Sequence, residues 1–213
     1  FDGRVRCVKE TDRVQVTASD GLVESAFGYA EVNVINSEPV LSGPTLSAAT
    51  AIVGDVLTCT ASATDIDPED IPTVTYSWSD GPTGPTYTVT MSDAVDSAIT
   101  CTATANDADG GVVTGTASAT VTNTAPVIDT VAVTPFEGQV GDVLTCTATA
   151  SDPDGATPTI TYGWSDGGEL IATGSIYTIS SDRAVDSEIV CTATATDMYG
   201  LTDTGTASAT VTN

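Results

Sequence analysis

The sequence predicts an all-β chain of tandem small β-sandwiches, and three observations predict it. A long block recurs: TGTASATVTN ends at Asn123 and again at Asn213, 213 − 123 = 90 residues later. Within each block, apolar and polar residues alternate at period two, in runs rich in Thr and Val. Each block also places one tryptophan between two cysteines.

The repeat sets the domain organisation. GDVLTCTASATD (54–65) matches GDVLTCTATASD (141–152) at ten of twelve positions, and AVDSAITCTATANDADG (94–110) aligns with AVDSEIVCTATATDMYG (184–200). Such a period marks stacked copies of one structural unit. The expected domains are 37–123 and 124–213. Residues 1–36 fit the C-terminal part of a preceding, incomplete unit, because VQVTASDGLVESAFGYAEVNVIN carries an Asp-Gly turn and ends on Asn36. The chain opens in mid-pattern without Met or a leader, so it is expected to be a piece of a longer protein.

Each unit reads as strands throughout. Thr faces water while Val, Ala and Cys face inward, which suits a sheet with one buried side. Turn signals fall at GD, DPDG, SDGG and DADGG, and no helical period persists. The strands expected in 37–123 are 55–64, 73–79, 86–90, 97–105 and 113–122. Those in 124–213 are 142–150, 159–165, 175–179, 187–195 and 202–212. About seven short strands in a unit of this size indicate a sandwich.

The cysteines sharpen this. Cys59 and Cys101 flank Trp78; Cys146 and Cys191 flank Trp164. With the five expected strands of each unit lettered B, C, E, F and G in order, Cys…Trp…Cys on B, C and F resembles the immunoglobulin arrangement, in which an inter-sheet B–F disulfide lies under a core indole. The resemblance implies Cys59–Cys101 and Cys146–Cys191, with Trp78 and Trp164 in the core. Closing a loop of about 43 residues stabilises by roughly 4 kcal/mol in the chain-entropy model. The other reading is free, buried cysteines in a reducing compartment; disulfides place the chain in an oxidising, extracellular one. Antibody domains carry Tyr two residues before the second cysteine, whereas this chain has Ile99 and Ile189. The likeness is therefore to the wider immunoglobulin-like group. Cys7 has its partner in the absent front half of its unit or is a free or intermolecular thiol.

Charge excludes several functions. The chain has 29 acidic residues, 5 basic ones, no histidine and a net charge of −24. Nucleic acid needs Lys and Arg to displace counterions, and anionic membranes need them too. No stretch approaches the roughly 20 apolar residues of a membrane span, so no direct membrane insertion is expected of this segment. Arg4, Arg6, Lys9 and Arg13 lie in the first 36 residues; the rest holds 23 acids and Arg183. Without histidine there is no Ser-His-Asp or Cys-His arrangement, and no Gly-rich loop opens a helix to cradle phosphate. Paired carboxylates are plentiful, but they repeat at turn positions with no aromatic-lined cleft. The chain is expected not to be an enzyme.

Those acids cluster in loops that meet at one end of a sandwich, beside the incoming linker. In 37–123 the B–C loop has Asp65, Asp67, Glu69 and Asp70, and the F–G loop has Asn106, Asp107 and Asp109. In 124–213 the set is Asp152, Asp154 and Asp197, to which the linker could add the Asn123 or Thr124 carbonyl; Met198 and Tyr199 stand where the other loop has Ala108 and Asp109. Converging carboxylates repel unless neutralised, and Ca²⁺ takes six to eight oxygens from such loops. The candidate ligands are Asp65, Asp67, Asp70, Asp107, Asp109, Asp152, Asp154 and Asp197. The other reading is ordinary wet turns, since Asp and Gly are turn residues. Calcium is the one cofactor suggested.

The pattern SDPDG…YxW…VDSxIxCTATAxDxxG…ASATVTN resembles immunoglobulin-like and PKD-type repeats of large secreted and cell-surface proteins of bacteria and some archaea, over essentially the whole chain. The PKD-type likeness rests on Asp152, Pro153, Asp154, Gly155, Tyr162 and Trp164; WSDGG replaces that family's usual WDFGDG. The resemblance implies a non-catalytic spacer, adhesion or filament role, with neighbouring repeats as the partners. Lys–Asn cross-links, common in surface adhesins, are excluded from 37–213, which has no lysine. Short proline-bearing linkers, NSEPV and NTAPV, favour a semi-rigid stalk. The alternatives are a repeat or subunit of an extracellular filament or sheath completed by a neighbouring strand, and a carbohydrate- or protein-binding module. The last needs exposed aromatics, for which Tyr29, Phe136 and Tyr199 are the candidates.

Overall fold

Burial alternates residue by residue along the strands, as period-two patterning requires. In AITCTATAN, Ile99, Cys101, Ala103 and Ala105 are buried while the intervening threonines are only partly so; Glu188–Thr196 repeats this with Ile189, Cys191, Ala193 and Ala195. The computed structural model describes residues 12–16, 28–32, 35–67 and 71–213, the first two segments by backbone alone. All regular elements among the described residues are strands, and no helix there is long and apolar enough to cross a membrane.

β1 (Asp12–Val16) and β2 (Gly28–Val32) pair antiparallel. The next sheets are built from one repeat. β3 (Val40–Leu46), β5 (Val56–Thr64) and β7 (Thr86–Thr88) lie in the order β3-β5-β7. β4 (Thr50–Ala51), β6 (Thr73–Trp78), β8 (Ala98–Asn106) and β9 (Val112–Val121) lie in the order β4-β9-β8-β6. The following repeat restates both. β10 (Val127–Thr134), β12 (Val143–Ser151) and β15 (Ile176–Thr178) form one sheet. β11 (Glu137–Gly138), β13 (Thr159–Asp166), β14 (Glu169–Thr173), β16 (Glu188–Thr196) and β17 (Thr202–Val211) form the other, ordered β11-β17-β16-β13-β14.

Disulfides Cys59–Cys101 and Cys146–Cys191 join the paired sheets. Trp78 lies directly across from Cys101, and Trp164 from Cys191. Trp164 is fully buried with Leu144, Tyr177, Ile179, Ile189 and Val211 around the disulfide. Tyr87 and Tyr177 add tilted ring contacts at 5.4 and 5.7 Å, and each indole N–H donates to a glycine carbonyl, Gly84 or Gly174, at 2.9 Å. These features define tandem immunoglobulin-like β-sandwiches. Ile99 and Ile189 sit in the cores, replacing the antibody tyrosine.

By packing, the chain divides into two compact units. One holds the described residues of Phe1–Ala49, Leu57–Tyr87 and Ile99–Ala119; the other holds Thr50–Val56, Thr88–Ala98 and Thr120–Asn213. In the first, an added Cβ on Gly115 would come within 2.7 Å of the Pro44 ring and 3.1 Å of Leu41; in the second, one on Gly205 would come within 2.7 Å of Val131 and 2.8 Å of Ile128. Glycine is required here by the close approach of the facing strand.

The expected strands appear within a residue or two, and four that the sequence had not located are added: β3, β4, β10 and β11 precede the first cysteine strand of each repeat. β14 was also missed. It follows a turn whose Gly167 and Gly168 both have positive φ, 56° and 86°, the backbone that tight hairpins need. The other repeat has PTGP in that loop. Pro82 and Pro85 supply no N–H to a ladder, and only an isolated Ser77–Thr83 bridge forms.

Candidate functional site

The acidic loops behave as a set of backbone acceptors, and both repeats use the same scheme. β5 ends beside Asp65, whose Oδ1 accepts the N–H of Asp67 at 2.9 Å; β12 leads to Asp152, whose Oδ1 accepts that of Asp154 at 2.8 Å. This local turn presents the second aspartate to the incoming linker. Asp67 Oδ2 accepts the Ser37 N–H at 2.9 Å, and Asp154 Oδ2 accepts the Thr124 N–H at 2.6 Å.

The loop after β8 and β16 carries a two-sided carboxylate. Asp107 Oδ1 closes its own turn by accepting the N–H groups of Asp109 and Gly111 at 2.9 and 2.7 Å. Asp197 Oδ1 does the same for Tyr199 and Leu201 at 2.8 and 2.9 Å. The other oxygen takes the linker's asparagine: Asn36 Nδ2 donates to Asp107 at 3.1 Å, and Asn123 Nδ2 donates to Asp197 at 2.7 Å. The Asn36 amide beside Asp107 holds its carboxyl below the usual range, with the amides of residues 109–111 adding to it and desolvation opposing. At Asp197, 8% exposed, burial pushes upward, but Asn123 and the amides of residues 199–201 outweigh it and the carboxyl titrates low. Hydrogen bonds to the ionised form produce such shifts.

Of the sequence candidates, Asp65, Asp67 and Asp107 share one loop end, and Asp152, Asp154 and Asp197 the other. Asp109 joins its turn through its backbone N–H. Asp70, Glu69 and Cys7 lie outside the described residues, as does the side chain of Tyr29. Within the second compact unit, Asp152, Asp154 and Asp197 line a cavity of about 170 Å³ with Met91, Asp93, Asn123 and Tyr199. Among the described residues no group of three or more acidic or cysteine side chains is placed to hold a metal ion. Asp65 Oδ2 and Asp152 Oδ2 are buried without a hydrogen-bond partner. Asn123 and Thr124 serve these loops as donors, through the side-chain amide and the backbone N–H respectively.

Sequence reading missed the side-chain amides of the linker asparagines as donors to the loops. Their signal was their recurrence as the closing residue of successive repeats, at 36, 123 and 213. Phe136 is 73% exposed and Tyr199 48%, while both tryptophans are buried.

No family model matches the sequence, and no curated protein matches it. Solved structures of similar build include Sidekick-1 immunoglobulin domains 1–4, at 15% identity and a TM-score of 0.43, covering 96% of this chain and 59% of that one. The insect immune protein hemolin is 14% identical, with a TM-score of 0.46 and coverage of 94% and 55%. The N-terminal eight Ig domains of Down Syndrome Cell Adhesion Molecule are 18% identical, with a TM-score of 0.44 and coverage of 96% and 28%. The chain thus spans less than two thirds of each of these three proteins.

Proposed function

We propose that this chain is a non-catalytic extracellular segment, a semi-rigid stalk of immunoglobulin-like repeats with a structural or adhesive role in a larger surface protein. One observation supports this most directly. The carboxylates that offered the sequence's main chemistry serve as acceptors for turn and linker N–H groups, not as a poised acid–base pair. The two disulfides agree with an oxidising location. A setting among secreted or surface proteins of bacteria or archaea is part of the proposal and rests on the motif at Asp152–Gly155 with Tyr162 and Trp164.

Calcium is proposed as an accessory brace held separately at each repeat's acidic loops by the aspartates named from the sequence, and the support is that Asp65 Oδ2 in one repeat and Asp152 Oδ2 in the other are buried and unpartnered at matching places. Small-angle scattering of the purified chain at low concentration, with Ca²⁺ and then with excess chelator, tests both ideas. A monomeric rod supports the stalk, and slackening in chelator supports the brace. A rod indifferent to chelator removes calcium. Concentration-dependent assembly overturns the monomeric stalk in favour of a filament completed by strand exchange.

A further inference from the structure

We infer that the closing asparagine of one repeat and the two-sided aspartate of the next form a latch that removes the free hinge between repeats, with Asn123 and Asp197 as its positioning residues. This latch deepens the stalk reading and rests on it. Across the link, successive residues are held. The Val121 N–H donates to the Ser97 carbonyl and the Thr122 N–H to that of Ala51, at 2.9 and 2.8 Å. The Asn123 side chain donates to Asp197 and the Thr124 N–H to Asp154. Pro126 is buried, and the Ile128 N–H donates to Asp203 Oδ2 at 2.8 Å. All these residues belong to one compact unit.

The same pairing at Asn36–Asp107 and Ser37–Asp67, within the other unit, makes the device a property of the repeat. Its logic lies in the two oxygens of one carboxylate. Asp197 Oδ1 shapes its own loop whatever precedes it, and Oδ2 then grips the chain that arrives. Asparagine suits the other half because its amide supplies a donor without charge.

The pairing can be inverted, and the inversion is the test. Asn123→Asp sets two carboxylates against each other. Adding Asp197→Asn restores a bond: an amide at position 197 donates to a carboxylate at position 123, while its own oxygen still accepts from residues 199 and 201. Amide hydrogen exchange at Thr124 in the full chain reads the outcome. Thr124 is protected in the native chain. Asn123→Asp accelerates its exchange about tenfold or more, the scale of a lost bond to a charged group, and the double variant recovers most of the protection. Asn123→Ala, which adds no repulsion, gives a smaller acceleration. Thermal unfolding and Trp164 fluorescence, read alongside, stay near native if the sandwich is intact. Rapid exchange at Thr124 in the native chain, unchanged exchange in Asn123→Asp, or failure of Asp197→Asn to rescue each overturns the latch. Failure of the stalk shows separately, as a compact or associating species in scattering.

Discussion

Arg183 is the one basic residue in 37–213, and it is held in place: Nη1 donates to Asp166 Oδ2 at 2.8 Å and Nη2 to Asp182. The guanidinium drives the Asp182 carboxyl well below its ordinary value, and Ser180 adds a hydrogen bond. A depressed carboxyl pKa means the pairing is complete above the ordinary range and is lost only as pH falls through the lowered value. Carboxyl NMR should therefore show Asp182 titrating below 3.8, and Arg183→Gln should move it back up; an unchanged midpoint refutes the assignment. At Gly205 the prediction is steric. Gly205→Ala must displace Val131 or Ile128 and should cost about 1–3 kcal/mol by overpacking, read as a lower denaturant midpoint. Cysteine and tryptophan were legible because they are rare and recur in register. The role of the Asn123 side chain was not, because a small polar residue at a strand end has many uses and only its partner's position selects one.

Among elements, strands that keep strict alternation were readable, and those that break it were not. VLTCTASAT and EIVCTATAT show their buried faces directly. β3 contains Gly43-Pro44, and its register shifts between Ser42 and Thr45, so its period is lost in the sequence. β14 depends on a Gly-Gly turn that reads equally well as a plain loop. The acidic loops were recognisable as clusters, but their hydrogen bonds were not, because sequence does not reveal which backbone N–H groups a carboxylate faces. The sheets are joined by the disulfides, which offset a core with many alanines. Cys146→Ala with Cys191→Ala should remove about 2–5 kcal/mol, with a matching fall in the calorimetric midpoint; retention of the native midpoint would contradict this role.

At the scale of the whole molecule, 29 acidic residues against 5 basic ones leave a net charge of −24. Copies should repel strongly at low salt. The second virial coefficient from light scattering should be large and positive near 0.01 M salt, where screening reaches about 30 Å, and should fall steeply by 0.15 M, where it reaches about 8 Å. A salt-independent value would mean that bound cations already neutralise the surface. The turn between β16 and β17 is closed by one aspartate side chain and the N–H groups of residues 199 and 201. Its closure takes nothing from the side chains of Met198 and Tyr199, which are 76% and 48% exposed. The sister repeat carries Ala108 and Asp109 there on the same hydrogen-bond frame. The loop tip is thus a blank panel: its surface chemistry can be rewritten from one repeat to the next while the scaffold beneath it stays as it is.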